Sequence, residues 1–179
     1  SLEDQWLKLQ DKDPFDYAKV ERKIPASKEL KVSFDLKAGQ NNKGTLQIEF
    51  LDENGIACSR MELTDDGIFR LKGGSRFANM MKYEAGKVYH VEAVLSTVDR
   101  NIQVYVDGKR VGLRMFYAPV AAVERIVFRT GVPRTFPTVD TPADQTYDLP
   151  NAGAQDPLAE YGIANVKTSS TDKDASSAF

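Results

Sequence analysis

Three arginines bracket one short apolar segment in ERIVFRTGVPR, residues 124–134: Arg125, Arg129 and Arg134. A guanidinium is a planar fork of donors that fits a carboxylate two bonds at a time. Arg125 and Arg129 share strand parity, and Arg134 follows the Gly131–Pro133 corner. Such a set can clamp a uronate or sulfate. It can also brace the acidic segment that follows, where Asp140, Asp144, Asp148 and Asp156 are the nearest carboxylates in sequence. The brace is the simpler reading, and it predicts a pair between Arg129 or Arg134 and one of those aspartates.

Other groups with chemical potential are sparse. Carboxylates that cleave a glycosidic bond stand about 5–5.5 Å apart for retention and wider for inversion. The local candidate is IEFLDENG, where Glu49 and Asp52 have opposite parity and Asp52 and Glu53 belong to the turn before Gly55. A continuous strand sends that pair to opposite faces, which argues against catalysis. Cys58 is the single cysteine, so the chain can build neither an internal disulfide nor a cysteine-rich zinc site. It reads as a small buried hydrophobe. His90 is the single histidine, which excludes a two-histidine metal site, and no paired nucleophile accompanies it.

The elements that must carry these groups follow from periodicity. The 179 residues fit one domain with a real core. Lysine plus arginine number 24 and aspartate plus glutamate 26, a net charge of -2 that gives no electrostatic footprint for nucleic acid or an anionic membrane. No apolar run approaches the roughly 20 residues that a bilayer requires. The opening SLEDQW reads as a domain boundary, so a segment excised from a longer protein is expected. In LKVSFDL, Leu30, Val32, Phe34 and Leu36 alternate with polar residues; in LQIEF, Leu46, Ile48 and Phe50 do the same. Both patterns predict half-buried antiparallel strands, with DENG at 52–55 and TDDG at 64–67 as turns. No sustained helical period occurs, and about ten strands are expected.

The stretch from Gly86 to Phe116 fixes a register. If Asp99-Arg100 and Asp107-Gly108 are each the centre of a tight hairpin, Val104 pairs with Leu95 and Val111, Val106 with Ala93, and Ile102 with Leu113. All of these fall on one apolar face, so the turns and the burial pattern agree. Tyr105 then lies on the other face between Val94 and Arg110, near Gln103, Glu92 and His90. After Gly131 a proline-rich loop of unusual length begins. YGIANVKT is read as the closing strand, and DPFDYAKVERKI as an opening strand that pairs near it. The expected division is a sandwich over 1–168 and a polar tail or linker over 169–179.

The segment YEAGKVYHVEAVLSTVDRNIQVYVDGKRV resembles the signature of concanavalin A-like, laminin-G-like sandwich modules. Tyr83, Gly86, Tyr89, Val91, Tyr105, Asp107 and Gly108 occupy the matching positions, with Tyr89 where a tryptophan is common. The resemblance implies an all-β fold, a two-sheet antiparallel jelly-roll sandwich. It also implies a non-catalytic carbohydrate-binding or accessory module of a secreted bacterial polysaccharide-processing protein, periplasmic or extracellular. Its partner would be a glycan or a neighbouring catalytic domain of the same polypeptide, with neither nucleic acid nor membrane involved. Two alternatives stand beside this: a glycan hydrolase or lyase whose carboxylates converge from separate loops, and a purely structural interdomain module.

Sugar recognition sets an aromatic face against pyranose C–H groups while amides and charges bond the hydroxyls. Tyr105, Arg110, Gln103, His90 and Glu92 supply those types on one face. Related modules often hold a structural calcium with loop carboxylates, which suggests Asp140, Asp144 and Asp148 as ligands. No other cofactor is expected.

Overall fold

The period-two pattern folds as two antiparallel sheets packed face to face. The structure, a computed structural model, describes residues 2–3, 5–13, 15–133, 137–145 and 158–170. Among them are thirteen strands: β1 (Leu2–Glu3), β2 (Trp6–Asp11), β3 (Lys19–Ser27), β4 (Glu29–Ala38), β5 (Leu46–Leu51), β6 (Ala57–Leu63), β7 (Ile68–Gly73), β8 (Arg76–Lys82), β9 (Val88–Ser96), β10 (Asn101–Val106), β11 (Lys109–Met115), β12 (Val123–Thr130) and β13 (Ala159–Ser170). The front sheet runs β1-β2-β13-β4-β9-β10-β11 and the back sheet β3-β12-β5-β6-β7-β8. This is the concanavalin A-like jelly-roll sandwich that the signature implies.

The core lies between the sheets. Leu30, Val32, Phe34 and Leu36 of β4 face Ile48, Phe50, Ile126 and Phe128 of the back sheet, all essentially inaccessible to water. Phe34 meets Phe128 edge to face, with ring centroids 5.2 Å apart. Three of the signature residues serve the framework. Tyr83 donates its hydroxyl to the Thr64 carbonyl, Tyr89 Oη accepts the Glu84 amide, and Gly86 takes the positive φ of 77° at the turn.

Several expectations need correction. LQIEF is not half-buried: every residue of β5 is inaccessible, because the polar side carries a covered ionic layer. The segment DPFDYAKVERKI contributes β3, which pairs with β12 in the back sheet. The closing strand β13 instead pairs with β2, whose short WLKLQD alternation is hidden next to the boundary-like start. Arg22 of β3 does reach across to β13, its guanidinium donating to the Val166 carbonyl at 2.6 Å.

The two hairpins depart from the tight register in different ways. Asp107 and Gly108 both have positive φ, 50° and 83°, as a type I′ turn requires. Beyond that turn a bulge sets Val104 opposite Gly112 and Ile102 opposite Arg114, in place of Val111 and Leu113. The cause is closure of the sandwich. A Cβ on Gly112 would lie 2.6 Å from Met80 Sδ and 3.2 Å from Leu71 Cδ2, so at this position β11 can approach β7 and β8 this closely because its backbone is bare. At the other turn, Ser96 pairs with Asn101 across the four residues 97–100, and only Arg100 of the expected central pair has positive φ. Val104 therefore faces Ala93 and Val106 faces Val91, a shift of two residues that preserves the apolar face.

Candidate functional site

The shift of two residues moves Tyr105 opposite Glu92 rather than Val94, while Arg110 stays opposite it on β11. Directly paired residues stand roughly 4.5–5.5 Å apart, so Glu92, Tyr105 and Arg110 form one row across three strands. Gln103 is two residues along β10, and its Oε1 accepts the Tyr105 hydroxyl at 3.1 Å. His90 continues the face along β9. The structure thus brings all five sequence-identified residues together on the outer side of the front sheet.

Their local commitments differ. His90 Nδ1 is 2.8 Å from Asp35 Oδ1, and Asn165 Nδ2 donates to Asp35 Oδ2 at 2.8 Å. Those two hydrogen bonds, Asn165 first, hold the Asp35 carboxyl below the usual carboxylate range. Glu92 lies 3.3 Å from Lys31 Nζ. Arg110 is exposed, and its guanidinium has no acidic partner among the described residues. Tyr105 is half-buried with its hydroxyl directed along the strand. The row therefore offers a ring face and one uncommitted cation to solvent.

Sequence reasoning missed one aromatic on the same side. Trp6 of β2 lies across Gly162, where a Cβ would come 3.1 Å from the indole, and Lys37 Nζ is 4.8 Å from its ring. The available signal was the WLKLQD alternation itself.

The back sheet shows the opposite character. Its outer side carries Gln47, Glu49, Arg60, Glu62, Lys72 and Arg129, all buried. Arg60 is wholly inaccessible and lies 3.2 Å from Glu49, so Glu49 is an ion-pair partner rather than a free catalytic carboxylate. Asp52 accepts the amides of Asn54 and Ile56 and serves the turn. Tyr117 lies beside this layer, donating its amide to the Cys58 carbonyl; burial, ahead of any charge, pushes its phenol up. Burial likewise pushes the fully enclosed Cys58 thiol up, which makes it inert.

An arginine brace forms through Arg125, which the expected pairs did not include. Arg125 Nη1 and Nη2 donate to the two oxygens of Asp144 at 2.7 and 2.6 Å, and Nη2 also donates to the Glu53 carbonyl. Arg129 places its guanidinium 4.1 Å from the Tyr17 ring centroid. Arg134, Asp148 and Asp156 lie outside the described residues. Asp144 reaches Arg125 because the 3-10 turn Ala143–Gln145 docks on Gly55 through the Ala143 amide, so the acidic segment is braced by an arginine that the expected pairs did not include.

The same geometry bears on calcium. Both oxygens of Asp144 already face a guanidinium, Asp140 is exposed in its loop, and no metal-sized cluster of three acidic or cysteine/histidine residues occurs among the described residues. Asp144 does not fit a cation ligand.

The Arg125 fork holds the Asp144 carboxyl below its ordinary value of 3.8. A carboxyl lowered on folding supports the docked turn above that pH and releases it as the pH falls through the lowered value. Hydrogen exchange should therefore show the Ala143 amide protected at neutral pH and losing protection on acidification below 3.8. Arg125→Ala should speed that amide's exchange roughly fivefold at neutral pH, with core strands unchanged.

A two-sheet sandwich with an open polar-aromatic face is the architecture of lectin-like and accessory carbohydrate modules. Residues 1–145 match the model of the sialidase-like carbohydrate-binding module (CBM) domain, and the chain belongs to that family. A solved structure titled sialidase is 88% identical over 98% of this chain, with a TM-score of 0.85, and the chain spans 16% of its length. Distant structures share the fold: a Caenorhabditis elegans galectin (11% identity, TM-score 0.51, 90% of this chain and 95% of that one) and a pentraxin from Limulus polyphemus (17%, 0.53, 94% and 77%). No curated protein matches the chain. The domain is accordingly a non-catalytic, carbohydrate-binding or accessory one.

Proposed function

We propose that the outer face of β9–β11 binds a sialic-acid-bearing glycan for a longer secreted protein whose catalysis resides elsewhere in its sequence. The observation that carries this reading is the exposed guanidinium of Arg110, without an acidic partner among the described residues, on the residue paired with Tyr105 across β10 and β11. Arg110 takes the sugar carboxylate through its fork, and the ring receives the C–H face. Gln103 and Glu92 are placed to bond hydroxyl or amide groups, while His90 stays with Asp35 and limits the site at one end. The relative titled sialidase supports an acidic sugar as ligand and a catalytic domain as neighbour. Action on such glycans fits a periplasmic or extracellular location.

Titration calorimetry with sialyllactose tests this. Arg110→Ala and Tyr105→Ala should each weaken binding by about tenfold or more, the loss expected when a charge-assisted hydrogen bond or a stacking platform is removed. Wild-type affinity in both variants would remove this face from consideration.

A further inference from the structure

The turn that receives the docked Ala143–Gln145 segment carries the chain's one asparagine–glycine step, Asn54-Gly55. Glycine is obligatory at 55. Its φ is 79°, and an added Cβ would stand 2.8 Å from the Asp144 amide nitrogen and 3.1 Å from that of Ala143. Docking thus demands the one residue type that leaves its own backbone nitrogen least shielded. That nitrogen is also loosely held, donating to the Asp52 carbonyl at 3.3 Å. Asn54 is exposed, and its carboxamide has no hydrogen bond among the described residues. An untethered carboxamide beside an open amide nitrogen is placed for intramolecular ring closure, and asparagine is the labile partner. The two aspartate–glycine steps make the contrast. Asp66 Oδ1 accepts the Thr64 hydroxyl and Asp107 Oδ1 accepts the His90 amide, so both of those side chains are held by their turns.

We propose that Asn54 is a site of spontaneous deamidation, and that isoaspartate formed there undocks the Ala143–Gln145 turn. The Gly55 amide nitrogen gives its proton to hydroxide and attacks the Asn54 side-chain carbonyl carbon. A nitrogen–carbon bond forms, the bond from that carbon to the carboxamide nitrogen breaks, and ammonia leaves with a proton taken from water. Water then opens the cyclic imide. Opening at the side-chain carbonyl gives aspartate, and opening at the main-chain carbonyl gives isoaspartate. The second product routes the backbone through the former side chain and lengthens it by one carbon between residues 54 and 55. The Glu53 carbonyl, which accepts Arg125, and the Gly55 carbonyl, which accepts the Ala143 amide at 2.8 Å, then lose the spacing that the docked turn requires. This modification does not depend on the assignment of the Tyr105 face.

Ageing the whole chain in warm, mildly alkaline buffer tests this. Peptide mass spectrometry and labelling by an isoaspartate-directed methyltransferase should find Asn54 converted ahead of every other asparagine, with isoaspartate among the products. Hydrogen exchange on the aged chain should show the Ala143 amide exchanging several-fold faster, with β4, β5 and β9 unchanged. Asn54→Gln must close a larger ring, so it should convert about tenfold or more slowly and keep Ala143 protected. Freshly prepared Asn54→Asp carries the new charge on a normal backbone, and it should keep that amide protected too. Asn54 left intact by an exposure that converts it in urea, or unchanged Ala143 exchange in the aged chain, would overturn the proposal. So would the same loss of protection in aged Asn54→Gln or in fresh Asn54→Asp.

Discussion

Arg60→Ala is expected to destabilise the domain by about 3–5 kcal/mol, read from chemical denaturation, with a melting temperature roughly 6–20 °C lower. The guanidinium is wholly inaccessible, lies 3.2 Å from Glu49 Oε1 and donates to Gln47 Oε1 at 3.3 Å. Gln47 in turn donates to Glu62 at 2.5 Å, and Arg70 Nε donates to Glu62 at 2.8 Å. Removing one cation leaves Glu49, 3% exposed, as a buried charge without its ion pair. The decisive comparison is Arg60→Met with Glu49→Leu. Replacing both charges by apolar side chains of similar volume removes the desolvation penalty together with the attraction, so the double variant should recover most of the lost stability. A double variant as unstable as Arg60→Ala would show that the layer's other contacts, rather than this pair, dominate.

Gly44→Ala should be comparably damaging for a different reason. Gly44 has a φ of 70°, and an added Cβ would stand 2.3 Å from Ala159 Cβ and 3.0 Å from Tyr161 Oη. Both neighbours belong to β13; Ala159 Cβ is fixed to the backbone and Tyr161 is wholly buried, so strain cannot be relieved cheaply. Overpacking of about 1–3 kcal/mol adds to the left-handed backbone penalty of about 1–2 kcal/mol. Gly86→Ala supplies the control, because its φ is 77° but nothing lies within 4 Å of the added carbon. Urea denaturation should show the control losing the backbone contribution alone. Equal losses at the two positions would mean that the contact with β13 is soft.

The sequence reading succeeded where one physical rule controls the outcome. Alternation at Leu30, Val32, Phe34 and Leu36 places β4 because a strand has only two faces, and the core takes one of them. Asp107-Gly108 locates its turn because few residue pairs accept two positive φ values. The five-residue face survived a register shift of two, since parity rather than exact pairing decides which side a residue occupies. The failures have a common cause in contacts between distant segments. The bulge before Gly112 answers to Met80 and Leu71 in the other sheet. The burial of Glu49 depends on Arg60 and its neighbours, which no local pattern reveals. Arg125 holds Asp144 because the docking of Ala143 on Gly55 sets which carboxylate arrives there.

The bulge at Val111 and Gly112 also bears on how the molecule treats its own copies. β11 is the last strand of the front sheet, with unpaired backbone groups along its free side. A flat, apolar border of that sort is a template for strand addition and aggregation. Here the bulge bends the border, and Lys109, Arg110 and Arg114 make it cationic. At the opposite end of the sheet, β1 is only two residues long. The irregularity that lets the sandwich close on one flank thus also guards that flank against self-association.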